Sequence, residues 1–257
     1  MFNTTHILYM IVSALISGGV VTALCLLKNK TLNKISIWIL AIGTVVIHFS
    51  GLWYEYFTAG SALVSMEYLL PAFPCHICMW LLVIAATLLE KDGVIARLIK
   101  DFAFWGGTVC GSFGLILNEN FAKNPTLDNY YVFKGLLSHS TMILGCILIL
   151  SCGYIKVGVK RSCAAVFSGL MLFGLEGAMV NGLFTKYELG QFNAMYMQYP
   201  PFENLPFINV YTIGLASMTV VFIASVLYEF FALPKEERWY YPLFKKRIEK
   251  SEKKPQN

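Results

Sequence analysis

The chain has 257 residues, of which 57% are hydrophobic and only 14% are charged, and its mean hydropathy is +0.61. An ordinary soluble domain carries about 25% charged residues, so this composition excludes a soluble globular protein and indicates an integral membrane protein. The formal net charge of +5 lies mostly in the C-terminal stretch KKRIEKSEKK. No phosphate-binding loop or dinucleotide fingerprint occurs, and we expect no cofactor and no nucleic-acid partner.

Apolar stretches of about twenty residues recur along the chain, which is close to the length that crosses a hydrocarbon core about 30 Å thick as a helix. The sequence therefore predicts an all-α integral membrane protein, a bundle of seven transmembrane helices over residues 1–232, followed by a basic cytoplasmic tail over 233–257. The predicted spans are 7–27, 36–57, 74–90, 102–118, 136–155, 162–184 and 206–232.

The basic residues predict the orientation of the bundle. All but three of the 20 lysines and arginines lie in the tail or in alternate loops, and the exceptions are Lys123, Lys134 and Lys186. Because basic loops stay in the cytoplasm, this alternation predicts an external N-terminus, a cytoplasmic C-terminus and a multi-pass protein of the cell membrane. We expect the tail to act as a topology anchor or to contact anionic lipid headgroups.

Polar side chains collect near the predicted outer ends of the spans. Cys78 and His139 lie a few residues into their spans and so at similar depths. The positive end of a helix and a nearby imidazole both favour a thiolate, which makes Cys78 a candidate nucleophile and His139 its candidate base. The supporting pocket is predicted to contain Cys75, His76, His48, Asn181, Asn193 and Tyr196.

Three other interpretations of these residues stay open. The Cys75-x-x-Cys78 spacing is typical of membrane thiol oxidoreductases, although such enzymes usually use a second external cysteine pair, which this chain lacks. A zinc site could be drawn from the two cysteines, His139 and Glu55, but only their shared depth supports it, and we predict no metal. A transport or ligand-binding protein would use the same pocket without chemistry.

Three segments resemble motifs of the YwaF family of bacterial multi-spanning membrane proteins. Residues 73–78, FPCHIC, are similar to that family's L-P-L-H-L-C motif. His139 in LLSHSTMIL resembles a histidine at the start of a later span, and NAMY at 193–196, followed by Pro200-Pro201, resembles a loop before the last span. The matching segments fall in family order between residues 66 and 215, and the family implies seven spans.

Animal relatives of that family include a phospholipid acyltransferase with a proposed cysteine nucleophile. The resemblance therefore implies an acyltransferase or transacylase that carries an acyl group as a cysteine thioester, with membrane lipids as substrates. Carried over to this sequence, it assigns Cys78 as the nucleophile and His139 as its partner. A shifted alignment over 70–75 would assign Cys75 instead but would lose the motif's histidine.

Overall fold

The computed structural model describes residues 3–59, 73–118, 120–121, 124–187, 192–200 and 205–242. Within these ranges the chain forms seven α-helices of 14 residues or more and contains no strand, which confirms the all-α prediction. The helices are α1 (Thr4–Leu27), α2 (Lys30–Ala59), α3 (Pro74–Thr87), α4 (Val94–Ile116), α5 (Tyr130–Ser151), α6 (Val159–Lys186) and α7 (Val210–Ala232). Short 3₁₀ turns occupy Ala194–Tyr196 and Lys235–Glu237.

Five of these helices, α1, α2, α5, α6 and α7, are long and apolar enough to cross a membrane. Large hydrophobic side chains cover their outer faces: Leu15 is 71% exposed and Phe231 is 80% exposed. The protein is therefore a multi-pass membrane protein. The helix α3 is apolar but shorter, with 14 residues, and it ends at Thr87 rather than at the predicted residue 90.

The helix α4 begins at Val94, eight residues before the predicted span, and the reason is a pair of buried charged side chains. Lys100 donates hydrogen bonds to the carbonyl oxygens of Leu89 (3.0 Å) and Lys91 (2.9 Å), which follow the end of α3. Asp101 accepts two hydrogen bonds from the guanidinium of Arg161 at the start of α6. Both charges are paired, so the helix continues through them.

Glycines on α4 allow its neighbours to approach closely. A methyl group added to Gly107 would overlap Cys146, and one added to Gly114 would overlap the ring of His139, both on α5. Gly106 faces the opposite neighbour, because its added methyl would lie 3.1 Å from the sulfur of Cys78 on α3. Small residues at such contacts are typical of helix pairs in membranes, and they place α4 between α3 and α5.

Helices α1, α3, α5 and α7 begin at the same end of the bundle, called the upper end here, which is the end predicted to face outward. Asparagine side chains cap three of these starts: Asn3 accepts from the N–H of His6, and Asn129 and Asn209 cap α5 and α7. Pro74 occupies the first helical position of α3, where its missing N–H costs nothing.

At the opposite end, Glu229 connects α6, α7 and the segment after α7. It is 4% exposed, and its two carboxylate oxygens accept hydrogen bonds from the backbone N–H groups of Val159 and Trp239, each at 2.6 Å. The predicted tail over 233–257 starts directly after α7. Its residues 243–257 lie outside the described ranges.

We expect Glu229→Ala to lower the melting temperature of the detergent-solubilised protein. The substitution leaves two N–H groups without acceptors, and each unsatisfied buried group costs about 1–3 kcal/mol. The matched control is Glu237→Ala, which removes an exposed carboxylate. Equal melting temperatures for both variants, measured by intrinsic fluorescence, would contradict a stabilising role for Glu229.

Candidate functional site

Three histidines from three helices meet near the upper end of the bundle. The rings of His48 on α2 and His76 on α3 lie 4.2 Å apart between centroids. The positive forms of His139 and Lys134, both on α5, lie close enough to His48 to interact with it electrostatically. His48 and His76, both predicted for the supporting pocket, are therefore in contact, and His139, the predicted base, lies within electrostatic reach of His48.

The hydrogen bonds of His139 leave one ring nitrogen able to accept a proton. Its Nδ1 lies 2.7 Å from the carbonyl oxygen of Gly135 in the preceding turn and donates to it. In the neutral ring, Nε2 then carries the lone pair, and within the described residues it has no hydrogen-bond partner. The ring packs against Gly114 of α4. Nε2 is the ring atom closest to where a methyl group on Gly114 would lie, so α4 and the Gly135 carbonyl together fix the orientation of the ring.

Lys134 lies one turn before His139 and is the cation of this cluster. It is only 6% exposed, its ammonium lies 3.4 Å from the carbonyl oxygen of His48, and it interacts electrostatically with Cys75 and Glu55. From the sequence, Lys134 was expected to lie in an external loop before the predicted span 136–155. Its position could have indicated burial, because a lysine this close to the start of an apolar stretch can be enclosed by the helix bundle.

Cys75 is partly exposed and lies in the first turn of α3. The backbone N–H groups of Cys75 and His76 face its sulfur, and Lys134 lies within electrostatic reach. A helix N-terminus and a nearby cation both favour the thiolate form of a cysteine. Cys75 is therefore partly exposed and has neighbours that stabilise negative charge, while the burial of its sulfur, which is the larger effect, favours the neutral thiol.

Cys78 lies one turn deeper and has a different environment. It is 0% exposed, its thiol interacts by a side-chain hydrogen bond with that of Cys110 on α4, and Cys75 and Cys146 are also nearby. No hydrogen bond joins Cys78 to His139 within the described residues. All seven cysteines are free thiols, so Cys75 and Cys78 form no disulfide. The assignment of Cys78 and His139 as a catalytic pair stays a prediction.

A tyrosine and carboxylate group lies above the histidines. Tyr131 donates to Glu55 at 3.0 Å, and Tyr130 donates to Ser50 at 2.6 Å. The ring of Tyr54 stacks on that of Tyr130 with centroids 4.0 Å apart. These contacts join the end of α2 to the start of α5 and surround the Lys134 cluster with polar groups.

Two asparagines fix the loop before α7: Asn181 attaches it to α6, and Asn193 closes it internally. Asn181 uses its whole amide on Ala194, donating to its carbonyl (3.1 Å) and accepting from its N–H (2.8 Å). Asn193 closes the loop by donating to the carbonyl of Tyr199 at 2.8 Å. The Tyr196 ring lies 5.0 Å from that of Phe73. Asn181 thus positions the loop, and Tyr196 lies beside the residue that precedes α3; the second proline of the predicted motif lies outside the described ranges.

Glu176 in α6 is a second ionisable residue that was not among the predicted site residues. Its Oε2 atom is buried and has no hydrogen-bond partner within the described residues. Within those residues, no group of three or more His, Cys, Asp or Glu side chains is arranged to hold a metal ion. The candidate reactive groups toward the upper end are therefore free thiols, imidazoles and the buried Lys134.

Comparison with known families identifies the wider group to which this arrangement belongs. A sequence model of the TMEM164 family matches residues 1–228 of the chain. The chain belongs to the TMEM164 family. The expected membrane-protein family is thus confirmed in general terms, although the matched family is TMEM164 and not YwaF. Searches of curated proteins and of solved structures found no match to this TMEM164-family chain.

We expect N-ethylmaleimide to modify Cys75 well before Cys78 or Cys146 in the folded protein. Cys75 is partly exposed, whereas the other two are 0% exposed. Peptide mass mapping over a time course measures each rate, and labelling after SDS denaturation provides the control in which all three react alike. Labelling of Cys78 as fast as that of Cys75 would contradict the enclosed position of Cys78.

Proposed function

We propose that this protein is a lipid acyltransferase of the cell membrane that carries an acyl group on a cysteine of α3 while transferring it between membrane lipids. The observation that carries the proposal is that the buried Lys134 lies within electrostatic reach of a thiol, Cys75, and of an imidazole, His139. A nucleophile, a base and a cation are the groups that acyl transfer needs.

The reaction divides into two balanced steps. His139 Nε2 takes the thiol proton, the thiolate attacks the ester carbonyl of a donor phospholipid, and the ester C–O bond breaks. The leaving lysolipid oxygen takes that proton from the imidazolium and becomes a hydroxyl. In the second step an acceptor hydroxyl gives its proton to His139 and attacks the thioester, which releases the thiol. Lys134 stabilises the oxyanion in both steps.

The geometry favours Cys75 over Cys78 as the reacting thiol. Cys75 is partly exposed and faces Lys134, whereas Cys78 is enclosed by other thiols and by Gly106. The shifted alignment of the motif supports the same residue. We also propose that the arrangement is shared with the YwaF family, because the cysteine, histidine and loop segments follow in the same order in both.

The deciding experiment seeks the thioester directly. We expect protein incubated with phosphatidylcholine vesicles to acquire a hydroxylamine-labile acyl group on Cys75, detected by peptide mass spectrometry. Cys75→Ser should abolish it, and Cys163→Ser on α6 is the control. Loss in Cys78→Ser alone would restore Cys78 as the nucleophile. Absence of any adduct in the wild-type protein would reject acyl transfer and leave ligand binding or transport.

A second experiment tests whether His139 acts as the base. Gly114→Ala adds a methyl group that overlaps the imidazole and should displace it. We expect the rate of acyl transfer to fall about 100-fold or more, as for the loss of a general base. Gly43→Ala is the control, because its methyl group would have no neighbour within 4 Å. A normal rate in Gly114→Ala and in His139→Ala would exclude His139 as the base.

A further inference from the structure

A crevice between α4, α6 and α7 lies below the polar cluster and is lined almost entirely by apolar side chains. The enclosed part of the crevice is small, about 20 Å³, and the open space in front of it brings the total to about 260 Å³. Its lining residues include Val109 and Cys110 on α4, Leu170 on α6, and Ser217 and Val221 on α7.

The crevice adjoins the thiols of the candidate site. Cys110 forms part of its wall and also interacts by a hydrogen bond with Cys78. Gly106 lines the crevice as well, and the Cys78 sulfur lies 3.1 Å from where its added methyl would be. Gly106 and the ring of Phe102 therefore lie between the crevice and the enclosed thiol, and Cys75 lies one turn of α3 above Cys78.

The depth of the crevice suits the lower part of a lipid. Cys110 lies six residues before the end of α4, which places it about 9 Å below the upper end at 1.5 Å per residue. Val221 lies eleven residues after the start of α7, or about 16 Å below it. An ester carbonyl held at the thiols would thus direct its chain down into the crevice.

The surface around the crevice faces the hydrocarbon of the membrane. Met171 on α6 is 61% exposed and Leu215 on α7 is 71% exposed, and both helices are long and apolar enough to span. The crevice is thus continuous with a face whose natural neighbours are acyl chains. An apolar wall offers no hydrogen bonds to water or to a polar ligand, so it favours an apolar one.

We propose that this crevice binds part of the acyl chain of the lipid whose ester group meets the α3 thiols. The inference deepens the proposed acyl transfer and depends on it for the identity of the reacting group. The crevice directs the chain, and the polar cluster above it receives the ester and the headgroup.

The test uses phosphatidylcholine with a photoreactive diazirine in its acyl chain, incorporated into nanodiscs with the Cys75→Ser protein so that no thioester can form. We expect cross-links to concentrate on the crevice residues of α4, α6 and α7. Leu170→Trp should fill the crevice and reduce these cross-links several-fold. Leu172→Trp, at a position 48% exposed on the same helix, should leave them unchanged.

A second pair of variants covers the case in which Leu170→Trp does not fold. Ser217 and Thr219 each donate to the carbonyl four residues earlier, at 2.7 and 2.9 Å, but only Ser217 lines the crevice. Ser217→Leu should reduce the cross-links and Thr219→Leu should not. Cross-links spread evenly over the exposed faces, or unchanged in both crevice variants, would overturn the inference. Crevice cross-links without any thioester in the wild-type protein would instead reject only the acyl transfer.

Discussion

The close approach of three helices around the glycines of α4 is the constraint on which the rest of the structure depends. Gly107 and Gly114 admit side chains of α5, and Gly106 admits the sulfur of Cys78 from α3. Within a membrane, water drives no apolar faces together, so close packing and internal hydrogen bonds have to hold the helices. The sulfur of Cys78 and the imidazole of His139 can approach α4 this closely because Gly106 and Gly114 carry no side chain.

Charged side chains that are buried near the ends of the bundle have an oppositely charged partner or hydrogen bonds to backbone groups. Asp101 pairs with Arg161, Lys100 closes the end of α3, and Glu229 accepts from two backbone N–H groups. These pairs lie at the lower end and join helices. At the upper end, Lys134 lies within electrostatic reach of the thiol of Cys75 and the imidazoles of His48 and His139, as well as of Glu55.

Hydropathy alone predicted the helix count and class, because an uninterrupted apolar stretch has few other folds available in a membrane. It misplaced the start of α4, because Lys100 and Asp101 look like loop residues until their partners are known. The same limit hid Lys134 and Glu176 from the list of site residues. Depth along a span can be counted in sequence, and it placed Cys78 and His139 at one level, but shared depth does not fix contact, and no hydrogen bond joins the two within the described residues. Which of two cysteines one turn apart reaches the surface depends on packing against α4, and the sequence does not contain that information in readable form.

The vertical order of the groups matches the vertical order of a lipid. Glu55 and Tyr131 lie near the upper ends of α2 and α5, Cys75 and Cys78 lie in the first turns of α3, and the apolar crevice lies farther down α4, α6 and α7. A phospholipid in the same leaflet presents its headgroup, its ester carbonyls and its chains in that sequence. A thiol relay for folding proteins would need an exposed cysteine pair above the membrane, whereas here the thiols lie between polar and apolar layers. The layering thus favours a substrate that itself spans both layers, which is the property that separates a lipid ester from a water-soluble ligand.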